Sequence, residues 1–174
     1  MSMRFPDVSS PLRDIPFAII GAAAVRAYMP ERMTSDLDVA IAARHSEEAR
    51  RRLREAGFAY QGELSIGGST WETHEGFPID VIELRVPYAE EAIAAAQSNR
   101  DAAGQPVMAL PYLVLVKLAS GWTQDIADIS RMLGQADDAA LGAVRRAVAE
   151  HSADAIEDIE SLIALGRLEM QTPA

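Results

Sequence analysis

The stretch Ile19–Ile41, IIGAAAVRAYMPERMTSDLDVAI, decides how the chain is read. An apolar run ends at Gly21, and an alanine-rich segment of high helical propensity follows until Pro30 stops it. Asp36 and Asp38 then flank Leu37 at the mouth of a second apolar run. Two residues apart on a strand, their side chains point to one face. Carboxylates that close repel unless a proton, a cation or water screens them. Magnesium does this well, since it takes hard oxygen ligands and is bound by one or two carboxylates together with substrate phosphates. The plainer reading makes Ser35-Asp36 a turn entering an edge strand with Asp38 solvated, and the pair alone leaves both open.

Outward from this stretch, PFAII (Pro16 to Ile20) reads as a short buried strand and LDVAIA (Leu37 to Ala42) as the next. Ser46 is placed to cap the helix EEARRRLREAG, with Glu47–Arg51 and Glu48–Arg52 as i,i+4 pairs and Gly57 at its end. FAYQGELSI, STWETHE and PIDVIEL read as strands joined by turns at Gly67-Gly68 and Glu75-Gly76. From Pro87 the period becomes helical. YAEEAIAAAQS is one helix, and PVMALPYLVLVKLASG is an extended piece followed by a helix with Pro111 near its first turn. TQDIADISRMLG is capped by Thr123 and stopped by Gly134, and two amphipathic helices follow, the last capped by Ser152. The expected fold is α+β (α/β), with a mixed sheet in residues 1–100 and a helical extension, residues 101–174, packed on it.

A third carboxylate bears on the first two. Asp80 sits between Ile79 and Val81 in PIDVIEL, where an ionised group must be edge-exposed, paired or on a metal. Beside the strand of Asp36 and Asp38, it completes three converging carboxylates, the set that holds two magnesium ions about 4 Å apart for displacement at phosphorus. A strand aspartate capping a nearby backbone group is the alternative. Gly21, between strand and helix, lets backbone approach a ligand where helix N–H groups favour a phosphate; a plain tight turn has the same signature.

The 174 residues, 49% of them apolar, suffice for one compact domain with a small extension. Cysteine is absent, which excludes disulfides, thiolate metal sites and a thiol nucleophile. His45, His74 and His151 are scattered without zinc spacing. No run reaches membrane-spanning length and no signal-peptide layout opens the chain, so a cytoplasmic protein without a membrane partner is expected. The formal charge of −10 disfavours extended duplex nucleic acid.

Gly21-Ala22, a helix, PERMTSDLDVAI and then PIDVIEL together resemble the DNA polymerase beta-like nucleotidyltransferase superfamily. Within it the chain is most similar to the bacterial group of AbiEii-type toxins and minimal nucleotidyltransferases. The resemblance spans about residues 15–133, and Arg32, Thr34, Asp36, Asp38 and Asp80 fit its pattern. It implies a nucleotidyltransferase core with Asp36, Asp38 and Asp80 as catalytic and metal-binding residues. It places Gly21, Ala22, Arg32, Thr34, Ser35 and Lys117 around an ATP-like triphosphate, and two Mg ions as cofactors. Ala22 departs from the usual Gly or Ser; it keeps the backbone N–H and lacks the hydroxyl. Lys117, Asp125 and Asp128 resemble a Lys-then-Asp-x-x-Asp segment of the same group, Asp125 and Asp128 standing behind the site. By physical chemistry alone, Lys117 snorkels to solvent and the two aspartates answer a helix dipole.

The expected activity is transfer of a nucleoside monophosphate from a nucleoside triphosphate to an acceptor hydroxyl on a small molecule, a protein or a tRNA. The resemblance also implies a toxin–antitoxin component with a cognate protein partner. The alternative is a weak or inactive member that acts as a nucleotide-binding or regulatory partner.

Overall fold

The computed structural model describes residues 5–29 and 34–171. The chain divides into two compact units, Met1–Ala24 with Met33–Met108, and Val25–Arg32 with Ala109–Ala174.

The first unit is built on five strands: β1 (Phe17–Ile19), β2 (Leu37–Ala42), β3 (Ala59–Glu63), β4 (Gly68–Glu72) and β5 (Pro78–Leu84). Their order in the sheet is β1-β2-β5-β4-β3. Residues 59–84 are three runs separated by glycine-bearing turns, so they fold as an antiparallel meander in which β3 pairs with β4 and β4 with β5. β5 then meets β2 in parallel, and β1 closes the sheet antiparallel to β2. Parallel neighbours need a long crossover. Here helix α2 (Ser46–Glu55) and the two meander strands supply it. The sheet is therefore mixed and the fold α+β.

The parallel pair lies inside the sheet, flanked by β1 and β4, and buries most of its apolar residues. Val39, Ala40, Ile41, Ile79 and Val81 are all buried, and helix α3 (Ala89–Ala96) lays Ala92, Ile93 and Ala96 against β1 and β2. Trp71 of β4 is wholly buried, with its indole N–H donating to Ser69 Oγ at 2.8 Å. Between β1 and β2 lies α1 (Gly21–Val25), shorter than the helix expected up to Pro30. The amides of Tyr28 and Met29 both turn back to the Val25 carbonyl, and a residue preceding proline is disfavoured in helical geometry.

Two local expectations give way in α2. A 3-10 turn, Ala43–His45, precedes it, so Ser46 is its first helical residue and its hydroxyl donates to the Ala43 carbonyl at 2.6 Å instead of capping. Arg52 takes Glu48 as expected, whereas Arg51 takes Glu48 and Glu55 and not Glu47.

The second unit holds α4 (Leu110–Ser120), α5 (Thr123–Gln135), α6 (Asp138–His151) and α7 (Ile156–Gln171). Pro111 occupies the first turn of α4, and Gly121 ends it in the left-handed conformation at φ 66°. Leu113, Val114, Ile129, Leu133, Leu141, Val144, Val148 and Ile159 form its core. Thr123 begins α5 without a side-chain cap, and Gly134, expected at the stop, lies inside the helix where its backbone meets Gly166 of α7. Asp137 caps α6, accepting the Ala140 amide at 2.8 Å. Ser152 is followed by a 3-10 turn, Ala153–Ala155, before α7. Among the described residues no helix is long and apolar enough to cross a membrane.

Candidate active site

The parallel pairing of β2 with β5 decides which carboxylates meet. Asp38 is the register partner of Asp80, and Asp80 in turn faces Thr70 on β4. Thr70 is paired with Gly62 on β3. Register partners project from the same face of a sheet, with neighbouring strands about 4.8 Å apart. One row of side chains across four strands therefore reads Asp38, Asp80, Thr70 and Gly62. Asp38 and Asp80 are each half-buried, at the point where the flanking residues Leu37, Val39, Ile79 and Val81 go inward to the opposite face. Two carboxylates side by side on one face of a sheet favour a cation, a proton donor or water beside them.

Asp36 is placed differently. β2 starts at Leu37, so Asp36 lies in the preceding bend and strand alternation does not extend to it. Its carboxylate accepts a hydrogen bond from the Thr34 hydroxyl, a local turn contact. Among the described residues no group of three or more His, Asp or Glu side chains is gathered so as to hold a metal ion. The register assembles two of the three expected carboxylates into a row, and the third sits on a turn before it. Two carboxylates still suit magnesium, which commonly takes only one or two from protein and the remaining ligands from substrate phosphates and water.

Gly21 lies against this pair. Its backbone has φ 61°, a conformation that costs a side-chain-bearing residue about 1–2 kcal/mol. A Cβ on Gly21 would stand 1.8 Å from Asp38 Oδ2, so only glycine leaves room for that carboxylate. The Ile20 amide donates to the Asp38 carbonyl at 2.9 Å, which ties the end of β1 to the same residue. Ala22 is half-buried in the first turn of α1. Thr34 is half-buried, Ser35 is exposed, and Arg32 lies outside the described residues.

No family model matches the chain. No curated protein matches it either. Among solved structures it is similar to the crystal structure of ANT(2")-Ia in complex with adenylyl-2"-tobramycin, at 17% identity and a TM-score of 0.49, over 92% of this chain and 93% of that one. It is also similar to the solution structure of the antibiotic-resistance factor ANT(2'')-Ia, at 20% identity and a TM-score of 0.48, over 92% of this chain and 88% of that one. Likenesses of this size carry no weight for activity, which rests on the residues themselves.

In the helical unit Lys117 neither snorkels nor stands open. It is 5% exposed on α4, and its ammonium is taken by Asp125 and by Asp128, the latter at 3.0 Å and itself 1% exposed. Gln124 adds a hydrogen bond of 3.0 Å to the second oxygen of Asp128. A buried ammonium surrounded by two carboxylates is a structural ion triad, and any phosphate contact by Lys117 would have to displace one of them.

Thr70 escaped the sequence reading. Its hydroxyl donates to Asp80 Oδ1 at 2.6 Å. The alternation of Ser69 and Trp71 inward against Thr70 and Glu72 outward is present in the sequence, but the partner strand is not.

Proposed function

We propose that the chain is a nucleotidyltransferase that moves a nucleoside monophosphate from a nucleoside triphosphate to an acceptor hydroxyl, with magnesium as the cofactor. The observation that carries this is the register pairing of Asp38 with Asp80 on adjacent parallel strands, with the backbone of Gly21 pressed against Asp38. Two carboxylates on one face of adjacent strands are a donor set that a divalent cation takes together with substrate phosphates and water. When bound with the triphosphate, that ion offsets the charge on the transferred phosphoryl group. Asp38 and Asp80 would hold it. Asp80, with Oδ1 taken by Thr70, keeps Oδ2 for the ion or for the proton of the acceptor hydroxyl. Gly21 leaves the approach to the Asp38 carboxylate free of a side chain. Thr34 orders the turn that brings Asp36 toward the start of β2. The chain's charge of −10 favours a neutral or cationic acceptor over a polyanion.

The test is transfer of a labelled nucleotide from each triphosphate into a cell extract with magnesium. Wild-type protein labels an acceptor and Asp38→Asn labels none while its melting temperature stays close to that of wild type. Labelling that survives Asp38→Asn refutes the reading.

One observation favours a second reading, a nucleotide-binding or regulatory protein such as one partner of a toxin–antitoxin pair. Asp36, Asp80 and Lys117 are each engaged by neighbours within the chain. Calorimetry with triphosphate and magnesium separates the two: binding without any turnover supports the second.

A further inference from the structure

We infer that Thr70 is a positioning residue for Asp80, and that its hydroxyl sets the orientation in which this carboxylate receives a divalent cation. The inference rests on the nucleotidyltransferase reading and adds to it a residue of a third strand. On the Asp80 face of β5 the neighbouring positions are Pro78 and Ile82, which offer no hydrogen bond. On one side of that face, β2 presents the like charge of Asp38. On the other side, β4 presents Thr70, whose O–H donates to Oδ1 at 2.6 Å, within the range of a charge-assisted bond. It is the one polar contact of Asp80 among the described residues.

The choice of threonine makes the contact directional. A β-branched side chain on a strand has restricted χ1, so the hydroxyl points along a set direction where serine would rotate. Beyond Thr70 the row ends at Gly62, around whose missing Cβ nothing lies within 4 Å, so no β3 side chain at that position competes for the hydroxyl. A carboxylate has two oxygens and about four lone-pair sites. Anchoring Oδ1 from the β4 side leaves Oδ2 as the oxygen available to an ion shared with Asp38. Without the anchor, the Asp80 carboxylate loses the hydrogen bond that fixes its orientation toward the shared position.

The experiment measures Mn2+ binding by electron paramagnetic resonance with a non-hydrolysable triphosphate, on wild type, Thr70→Val, Thr70→Ser, Asp80→Asn and the Thr70→Val/Asp80→Asn double variant. Valine keeps the branched shape and removes the donor. The expected result is about ten-fold weaker Mn2+ binding for Thr70→Val, of the order set by one hydrogen bond to a charged group. Thr70→Ser should fall within about three-fold of wild type by the same reckoning. The double variant should bind no more weakly than Asp80→Asn alone. In turnover, Thr70→Val should raise the metal concentration for half-maximal rate and leave the KM for nucleotide at saturating metal unchanged. Equal Mn2+ affinity in Thr70→Val and wild type overturns the inference, and so does a Thr70→Ser as weak as Thr70→Val. If Thr70→Val melts lower, the comparison of the double variant with Asp80→Asn decides; a further loss of binding in the double variant overturns the coupling. Wild type that takes no Mn2+ with triphosphate defeats the functional reading itself, and is told apart because that arm contains no substitution.

Discussion

Gly21 and Asp38 occupy the same space in turn: the volume that a Cβ on the glycine would fill is taken by the carboxylate of the aspartate, 1.8 Å away. The contact joins the end of β1 to the start of β2 and explains why glycine sits at this junction. Gly21→Ala combines a left-handed backbone with a direct clash, and should cost about 1–3 kcal/mol of stability. Because the carboxylate must move, activity should fall further than stability accounts for. Urea unfolding together with nucleotide transfer at a temperature well below the transition checks both parts.

Asp38→Asn and Asp80→Asn each remove one carboxylate from the parallel pair. Asparagine keeps the side-chain shape and an acceptor oxygen, so both variants should melt close to the wild-type temperature without metal. Wild type should gain several degrees with magnesium and triphosphate through binding to the native state alone, and the variants should gain little. Transfer should fall at least about 100-fold in either variant, the scale of losing one electrostatic contact to developing charge. Differential scanning fluorimetry with and without magnesium separates the two effects.

Much of this arrangement was legible in the residues, and the gaps have physical causes. β2 and β5 were readable with their observed bounds because LDVAIA and PIDVIEL are apolar runs bracketed by polar or turn residues. That Asp38 and Asp80 are partners was not readable, since register between strands forty residues apart is decided by the meander and the α2 crossover. Asp36 shows the opposite failure: two-residue spacing implies a shared face only if the strand includes both residues, and β2 begins one residue too late. The burial of Lys117 has no signal in the sequence, because a lysine on an apolar helix ordinarily reaches water along its stem. Here α5 supplies two carboxylates at the right height, a tertiary fact with no local signal. Gly134 looked like a helix stop because glycine is common there, while its actual use is a close helix crossing.

That crossing makes its own prediction. A Cβ on Gly134 would lie 2.4 Å from the Gly166 carbonyl carbon, and one on Gly166 would lie 2.0 Å from the Ser130 carbonyl oxygen. Both obstacles are backbone, so α5 and α7 would have to separate. Gly134→Ala and Gly166→Ala should each destabilise by about 1–3 kcal/mol despite alanine's better helix propensity. Gly142→Ala, at a half-buried position of α6 where a Cβ would meet only the end of the Arg146 side chain at 3.6 Å, should be neutral or stabilising. Thermal unfolding of the three variants tests the contrast.

The Lys117 triad should be costly to break from either side. Lys117→Met leaves Asp128, 1% exposed, without its cation, and should cost about 3–5 kcal/mol at neutral pH. Adding Asp128→Leu to it should recover part of the loss, because a buried pair replaced by apolar side chains is often tolerated. A double variant no more stable than Lys117→Met would show that Asp128 is not the group left stranded. Chemical denaturation of the two proteins settles it.

A second ion cluster predicts the acid limb of stability. Burial pushes Glu83 upward, but hydrogen bonds from Arg50 and Arg85 outweigh it and hold its carboxyl below the ordinary 4.5. Arg50 and then the Tyr60 hydroxyl hold Glu63 down at about 2. Both folded values lie below the unfolded one, so the stabilisation is complete above pH 4.5 and is lost as pH falls toward about 2. Arg50 links the two, pairing with Glu83 at 3.0 Å and with Glu63 on β3. Glu83→Gln should lower stability at pH 7 by about 2 kcal/mol, the scale of a hydrogen bond to a charged group, and flatten the decline below pH 4.5. Unfolding free energies measured from pH 7 to pH 3 check the slope; a variant that declines as steeply as wild type would remove Glu83 from the account.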